Sequence, residues 1–250
     1  MDEDKLKIIE LFKQNVKNKK ADTSNANQRH DGKEGHWLEQ QMGISANADN
    51  DADLLGYEMK KGTFQKTTFG DWSADYYIFK GKEATITREE FFKYFGKPNE
   101  DKGGRISWSG EVCPKINNFN RFGQKLIVDD DLNIIAIYSY SYDTRENKDV
   151  LLPDNLKQDN LILAKWDKQS IQHKLENKFN KKGWFKIEKD KSGIYQSIHF
   201  GAPINYENWI ALVKAGVVYF DSGMYETNNR PYSQWRANNT LWTSLIIDSY

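Results

Sequence analysis

The sequence predicts an α+β fold, or an irregular α/β arrangement with a mixed sheet, in two lobes. Three observations carry that reading. Segments with apolar residues at helical spacing and segments with strand-like runs follow one another without regular alternation, which disfavours a doubly wound sheet. The chain has 250 residues, enough for a large hydrophobic core. Aromatic residues make up 14% of it, more than a disordered chain carries, although mean hydropathy is −0.82.

The elements follow in order. Residues 3–18 place Leu6, Ile9, Leu11, Phe12 and Val16 among charges at helical spacing. The polar stretch KNKKADTSNANQRHDGKEG is a loop. HWLEQQMGI is a short helix ending at Gly43, and SANADNDAD is an acidic turn. LLGYEMKKG reads as a strand, TFQKTTFG as a loop and DWSADYYIFK as a second strand. TREEFFKYFG is a helix in which Thr87 and Glu90 form a capping box and Gly96 is the stop. NEDKGGRISWSGEVCPKINN is irregular, and the chain is expected to divide there into a first lobe, 1–115, and a second, 116–250, whose C-terminus returns to the core. QKLIV and LNIIAIYSYSY make a hairpin about Asp129–Asp131. LILAKW is a buried strand, DKQSIQHKLENKFN a helix, and GWFKIEKDKSGIYQSIHFG a hairpin turning near Asp190–Gly193. NYENWIALVKAG is a helix capped by Asn205 and leads into the strand VVYFDSG. MYETNNRPYSQWRANN is a polar, Arg-bearing loop or edge strand, and TLWTSLIIDSY packs back inside.

Composition bounds the function. Lys plus Arg and Asp plus Glu are 36 each, so the zero net charge neither points to a polyanion nor excludes one, because a basic cleft can sit inside a balanced total. Cys113 is the only cysteine, which excludes an intrachain disulfide and a cysteine-built zinc cluster and suits a reducing cytosol. The N-terminus lacks the apolar run of a signal peptide, and no stretch approaches the roughly 20 apolar residues of a membrane span. A cytoplasmic protein with no membrane contact is expected. Neither phosphate-binding glycine motif, G-x-x-x-x-G-K-[ST] or G-x-G-x-x-G, is present.

The stretch DADLLGYEMKKG, residues 51–62, carries the chemistry. On a strand, Glu58 and Lys60 share one face while Tyr57 and Met59 point into the core, and Asp53 can bend back toward Glu58. Two carboxylates suit a hard divalent cation, which also takes water and phosphate oxygens. Such a cation lowers the pKa of a bound water and stabilises charge on a transferring phosphoryl group, while a neighbouring lysine orients or deprotonates the attacking water. A strand with one solvated, charged face explains the same residues without chemistry. Context favours the site. RHDGKEGHWLEQQMGI sets Glu39 on a short helix upstream, and KGTFQKTTFGDW supplies Lys61, Lys66, Thr67 and Thr68 as donors for phosphate oxygens.

This combination, an acidic helix residue before Gly-Ile and then Asp-x4-Glu-x-Lys, resembles the MvaI/BcnI family of type II restriction endonucleases. These are relatives of the mismatch-repair nickase MutH within the PD-(D/E)XK nuclease superfamily. The resemblance covers residues 29–70 and recurs weakly at Asn117–Gly123 and Asn228–Trp242. It implies a PD-(D/E)XK core with two lobes around a DNA cleft, and hydrolysis of duplex DNA at a short specific sequence. It implies Mg²⁺ as cofactor, with Mn²⁺ as a substitute. Asp53 and Glu58 would bind the metal, Lys60 would be the catalytic lysine and Glu39 the auxiliary acid. The spacing of MutH-like proteins would choose Asp51 instead of Asp53, whereas DLLGYEMK fits the shorter MvaI/BcnI spacing. A monomer cutting the strands in turn is implied, with a cognate DNA methyltransferase in the same system but not as a stable subunit.

DNA contacts are expected from several places. Arg230 and Arg236 lie among Asn, Tyr and Ser, and Arg can bind guanine with two hydrogen bonds; an exposed loop with incidental charge is the other reading. Trp235-Arg236 stands where the family has an aromatic–Arg pair for recognition. Tyr232 and Ser233 replace the family's histidine-bearing form, so base contacts do not copy across. Arg121 between Phe119 and Phe122 either anchors a phosphate or fills an aromatic pocket. His30, just before the Glu39 helix, is placed to touch DNA; His36, His173 and His199 show no ligand spacing. A MutH-like strand-nicking enzyme, a non-catalytic DNA-binding module and a purely structural charge cluster are the rival readings.

Overall fold

The computed structural model describes residues 2–25, 27, 32–44, 50–62 and 65–250. Helices α1 (Glu3–Asn15) and α2 (Lys33–Gln41) precede strands β1 (Tyr57–Lys61), β2 (Lys66–Asp71) and β3 (Tyr76–Tyr77). Helix α3 (Arg88–Phe95) is followed by β4 (Lys97–Asn99), β5 (Arg105–Trp108), β6 (Phe122–Val128) and β7 (Ile134–Asp143). Then come α4 (Lys148–Leu151), β8 (Leu161–Trp166), α5 (Lys168–Phe179), β9 (Gly183–Lys189) and β10 (Tyr195–Gly201). The chain continues through α6 (Tyr206–Lys214), β11 (Val218–Ser222), β12 (Met224–Tyr225), β13 (Ser233–Asn238), α7 (Asn239–Ser244) and β14 (Ile246–Ser249). The expected mixture of helices and mixed sheet is what the chain adopts. No helix among the described residues is long and apolar enough to cross a membrane.

The chain divides into two compact units, and neither is a continuous half. The first is Met1–Thr67 with Lys174–Asn205 and Asn238–Tyr250; the second is Thr68–His173 with Tyr206–Ala237. The division expected at residue 115 thus falls inside the second unit. The reason is strand pairing: β1 takes its neighbour from β9, far along the chain, and binds it parallel, with Glu58 beside Trp184 and Lys60 beside Lys186.

In the first unit the sheet order is β1-β9-β10-β14. Alternation turns Tyr57, Met59, Phe185, Ile187, Ile198 and Phe200 to one face. They form a core with Ile8, Ile9 and Phe12 of α1 and Leu38 of α2. Each such side chain contributes about 1.5–3 kcal/mol when fully buried. Helix α1 can lie there because its apolar residues fall on one stripe, and because Asp2 caps its first turn by accepting from Asp4 N.

The second unit holds the sheets β11-β13-β2, β12-β5-β4 and β3-β8-β7-β6. Its centre is aromatic: Trp166, Trp209 and Phe220 surround Trp235 with ring centroids 5.4–5.5 Å away. The capping box on α3 and the β6–β7 and β9–β10 hairpins are as expected.

Three expectations are corrected here. Residues 66–70, read as loop, form β2 together with Asp71, while the rest of DWSADYYIFK keeps only Tyr76–Tyr77 as strand. Gly70 lies in β2 under Trp72, so that a Cβ there would meet the indole at 2.2 Å. The stretch read as irregular contains β5 and the last residue of β4. Finally, β13 is no edge: it lies between β11 and β2.

Candidate active site

A tight turn brings Asp53 and Glu58 together. Leu54 N donates to Tyr57 O at 3.0 Å and Tyr57 N donates back to Leu54 O at 2.8 Å. Only Leu55 and Gly56 remain in the turn, at φ 50 and φ 85. Two positive values are what a two-residue hairpin needs, because its twist then matches that of the flanking strands. Glycine adopts this freely; a side chain such as Leu55's costs about 1–2 kcal/mol there. The next pair outward is Asp53 and Glu58, and Asp53 Oδ2 accepts from Met59 N at 2.9 Å. The spacing Asp-x4-Glu is therefore the arithmetic of a two-residue turn. The strand itself starts at Tyr57, not at Leu54 as read from sequence.

Glu58 is held between charges. Its side chain is only 3% exposed. Lys60, two residues on and so on the same face, donates from Nζ to Glu58 Oε1 at 2.8 Å. Lys178, on the last turn of α5, donates to the same oxygen at 3.3 Å. Glu58 Oε2 is buried and accepts no hydrogen bond among the described residues. The Lys60 ammonium also lies 5.0 Å from the centre of the Phe179 ring.

Burial, and secondly the negative charge of Glu58, push the Asp53 carboxyl up to about 6, against the lowering pull of Met59 N and the two lysines. A carboxylate reluctant to ionise beside a second one with an oxygen to spare forms a donor set for a hard cation, which binds oxygen. Among the described residues no group of three or more His, Cys, Asp or Glu gathers anywhere, so such a cation would have two carboxylates here and would complete its shell with water and substrate oxygens.

The Asp53 proton competes with a cation for the same oxygens. The affinity of the DNA-free protein for Mg²⁺, titrated by calorimetry, is expected to rise as pH climbs through about 6 and then to level off. A flat affinity across that window would contradict the assignment. Stability of the metal-free protein moves the other way. The folded pKa lies above the usual 3.8, so the folded chain holds this proton more tightly than the unfolded one; the contribution is complete below 3.8 and is lost as pH rises through about 6.

The remaining expected residues fall in several places. Asp51 stands apart: its side chain is 59% exposed and pairs with Lys181 at 3.3 Å. Glu39 lies on α2 and its carboxylate meets His36 Nδ1 at 3.2 Å. Lys61 pairs with Glu34 at 3.3 Å. Lys66 and Thr68 are half-buried on β2. Thr67 is buried and its hydroxyl donates to Asn239 Oδ1 at 3.0 Å. Ser233 is fully buried, with its N–H on Asp71 Oδ1 at 2.7 Å and its hydroxyl 2.8 Å from that of Tyr77.

Arg230 is the exposed arginine of its segment, at 62%; it donates to Asp71 Oδ2 at 3.0 Å and stacks over the half-buried Tyr232. Arg236 is tied to Asp221 at 3.2 Å. Arg121 sets its guanidinium over Phe122, with its Nε 2.6 Å from Glu111. It lines a groove of about 720 Å³ with Lys93, Lys97 and Arg145, of which Lys97 pairs with Glu111 and Arg145 with Asp143. His30 lies outside the described residues. Sequence reasoning missed Lys178 and Phe179. They sit 120 residues beyond Glu58 in a helix whose pattern is merely polar, and no local signal links them to the motif.

Comparisons with known proteins agree in kind. Residues 16–250 match the LlaMI restriction endonuclease family. The chain is 50% identical over 270 residues to the type II restriction enzyme ScrFI of Lactococcus lactis subsp. cremoris, with 100% of each chain covered. Its fold is similar to that of the restriction endonuclease MvaI in complex with cognate DNA substrate, with a TM-score of 0.60 at 13% identity, spanning 100% of this chain and 98% of that one.

Proposed function

The chain belongs to the LlaMI restriction endonuclease family, and from that premise we propose how it works as a type II restriction enzyme: Asp53 and Glu58 hold a divalent cation, and Lys60 serves the attacking water and the scissile phosphate. The observation that carries this is the assembly of the three side chains by the Leu55-Gly56 turn, with a buried Glu58 oxygen left over. The cation is Mg²⁺, with Mn²⁺ as a substitute; when bound, it offsets phosphate charge and acidifies a bound water.

The chain's own groups do the rest. The Asp53 backbone bond and the two lysines on Glu58 fix both carboxylates before substrate arrives, so little reorganisation is needed on binding. The Lys60 ammonium is half of an ion pair at 2.8 Å and can transfer its hydrogen bonds from Glu58 to a phosphate oxygen or to the attacking water. Water attacks phosphorus and gives up a proton to the medium, the bond to the 3′ oxygen breaks, and that oxygen leaves and takes up a proton from the medium. Arg230, exposed and oriented by Asp71, is the arginine best placed to read bases. Lys66 and Thr68 are left as phosphate donors.

The test is a digest of mixed-sequence duplex DNA by the purified chain with Mg²⁺, followed by sequencing of the ends. Discrete double-strand fragments sharing one short sequence are expected, lost with a chelator and lost in Glu58→Ala. Undiminished cutting in either would overturn the reading. The enzyme is further proposed to act as a cytoplasmic monomer beside a methyltransferase that protects the same sequence. Sedimentation at the mass of two chains on DNA would sink the monomer.

A further inference from the structure

The last turn of α5 builds half of the site from outside the motif. Lys174 O accepts from Asn50 Nδ2 at 2.7 Å and Asn177 O accepts from Ala52 N at 3.2 Å, so carbonyls from the last two turns of α5 hold the segment that leads into Asp53. The last turn sends Lys178 to Glu58 Oε1 at 3.3 Å, and fully buried Phe179 offers its ring to the Lys60 ammonium. Two ammonium groups thus share one carboxylate oxygen. A buried carboxylate deprived of its counter-charge is strongly destabilised. With Lys60 as sole partner, the centre would have to choose between holding Glu58 and meeting the phosphate.

We propose that Lys178 is a positioning residue for hydrolysis, which keeps hold of Glu58 Oε1 when the Lys60 ammonium turns from that oxygen to the scissile phosphate of DNA. This rests on the reading of Asp53, Glu58 and Lys60 as the hydrolytic centre. Lys178 itself does not touch the DNA. Its work is to offset the charge of Glu58 and fix its carboxylate plane, as the outer partners of a metal-binding group do.

Lys178→Met and Lys178→Arg in the full chain test this, with Lys60→Met as control. Three quantities are read: single-turnover cleavage of a specific duplex, DNA affinity without cation, and Mg²⁺ binding to the DNA-free protein by calorimetry. Lys178→Met is expected to slow cleavage by about 10–100-fold, the range for outer partners of metal ligands, with DNA affinity unchanged. Its Mg²⁺ affinity should tighten, because one of two positive charges facing the carboxylates is gone. Lys178→Arg should recover most of the rate. A parental rate and parental Mg²⁺ affinity in Lys178→Met, alongside an inactive Lys60→Met, overturns the role of Lys178 and leaves the centre standing. A parental rate in Lys60→Met removes the centre itself. Lower thermal stability alone makes Lys178 a structural ion pair and also overturns the proposal. Should Lys178→Met not fold, Lys178→Gln removes the charge with less loss of polarity and carries the same readouts.

Discussion

Asp53→Ala is expected to reduce cleavage by at least about 10³-fold, the scale on which a preorganised polar group at a reacting centre is felt. Asp51→Ala, in contrast, should stay within about threefold of the parent, as a surface charge does. The two aspartates differ in environment, not in type. Asp51 is mostly exposed and serves Lys181, whereas Asp53 is turned inward, bonded to Met59 N, and close enough to Glu58 to be perturbed by its charge. Asp53→Asn separates chemistry from structure. The amide oxygen can still accept from Met59 N, so the turn and the melting temperature should survive while the rate does not. Single-turnover digestion of plasmid DNA measures the rate. Loss of cutting in Asp51→Ala with retention in Asp53→Ala would transfer the role to Asp51.

Trp235→Ala and Arg230→Ala should fail in opposite ways, although the residues lie five positions apart. Trp235 has 0% exposure, ringed by Trp166, Trp209 and Phe220. Its truncation should cost about 3–5 kcal/mol, read as a lower urea midpoint at unchanged slope. That is a large fraction of the roughly 5–15 kcal/mol that holds a typical protein folded. Arg230→Ala should move stability by less than about 0.5 kcal/mol. Its loss should appear in DNA discrimination, at about 1–3 kcal/mol, measured as competition between a specific and an unrelated duplex. Parental discrimination in Arg230→Ala would remove it as a base reader. An unchanged midpoint in Trp235→Ala would mean that the aromatic centre does not carry the second unit.

These contrasts show what could be read from residues alone. The Glu58–Lys60 face followed from strand alternation, and the capping box at Thr87 and the hairpins were written in local chemistry. The closeness of Asp53 was anticipated, but its cause was not. Leu-Gly is a weak turn signal, and Leu55 takes a positive φ inside the turn that the Leu54–Tyr57 backbone pair closes. Trp235 was placed in a polar segment by its neighbours Gln234 and Arg236, yet alternation along a central strand buries every second residue regardless of composition. The partners that burial gives Thr67 and Ser233, Asn239 and Tyr77, lie far along the chain and leave no local signal. Lys178 was invisible because its contact with Glu58 is set by tertiary folding across 120 residues.

The parallel pairing of β1 with β9 has a consequence for how the enzyme comes into being. Translation runs from the N-terminus, so Asp53, Glu58 and Lys60 leave the ribosome while the strand they lean on, the lysine that shares their oxygen and the ring beneath their ammonium are still unmade. The residues of the second unit that intervene, 68–173, must be synthesised first. For a restriction enzyme, the order of manufacture acts as a delay: the residues proposed to cut are made early and mounted late.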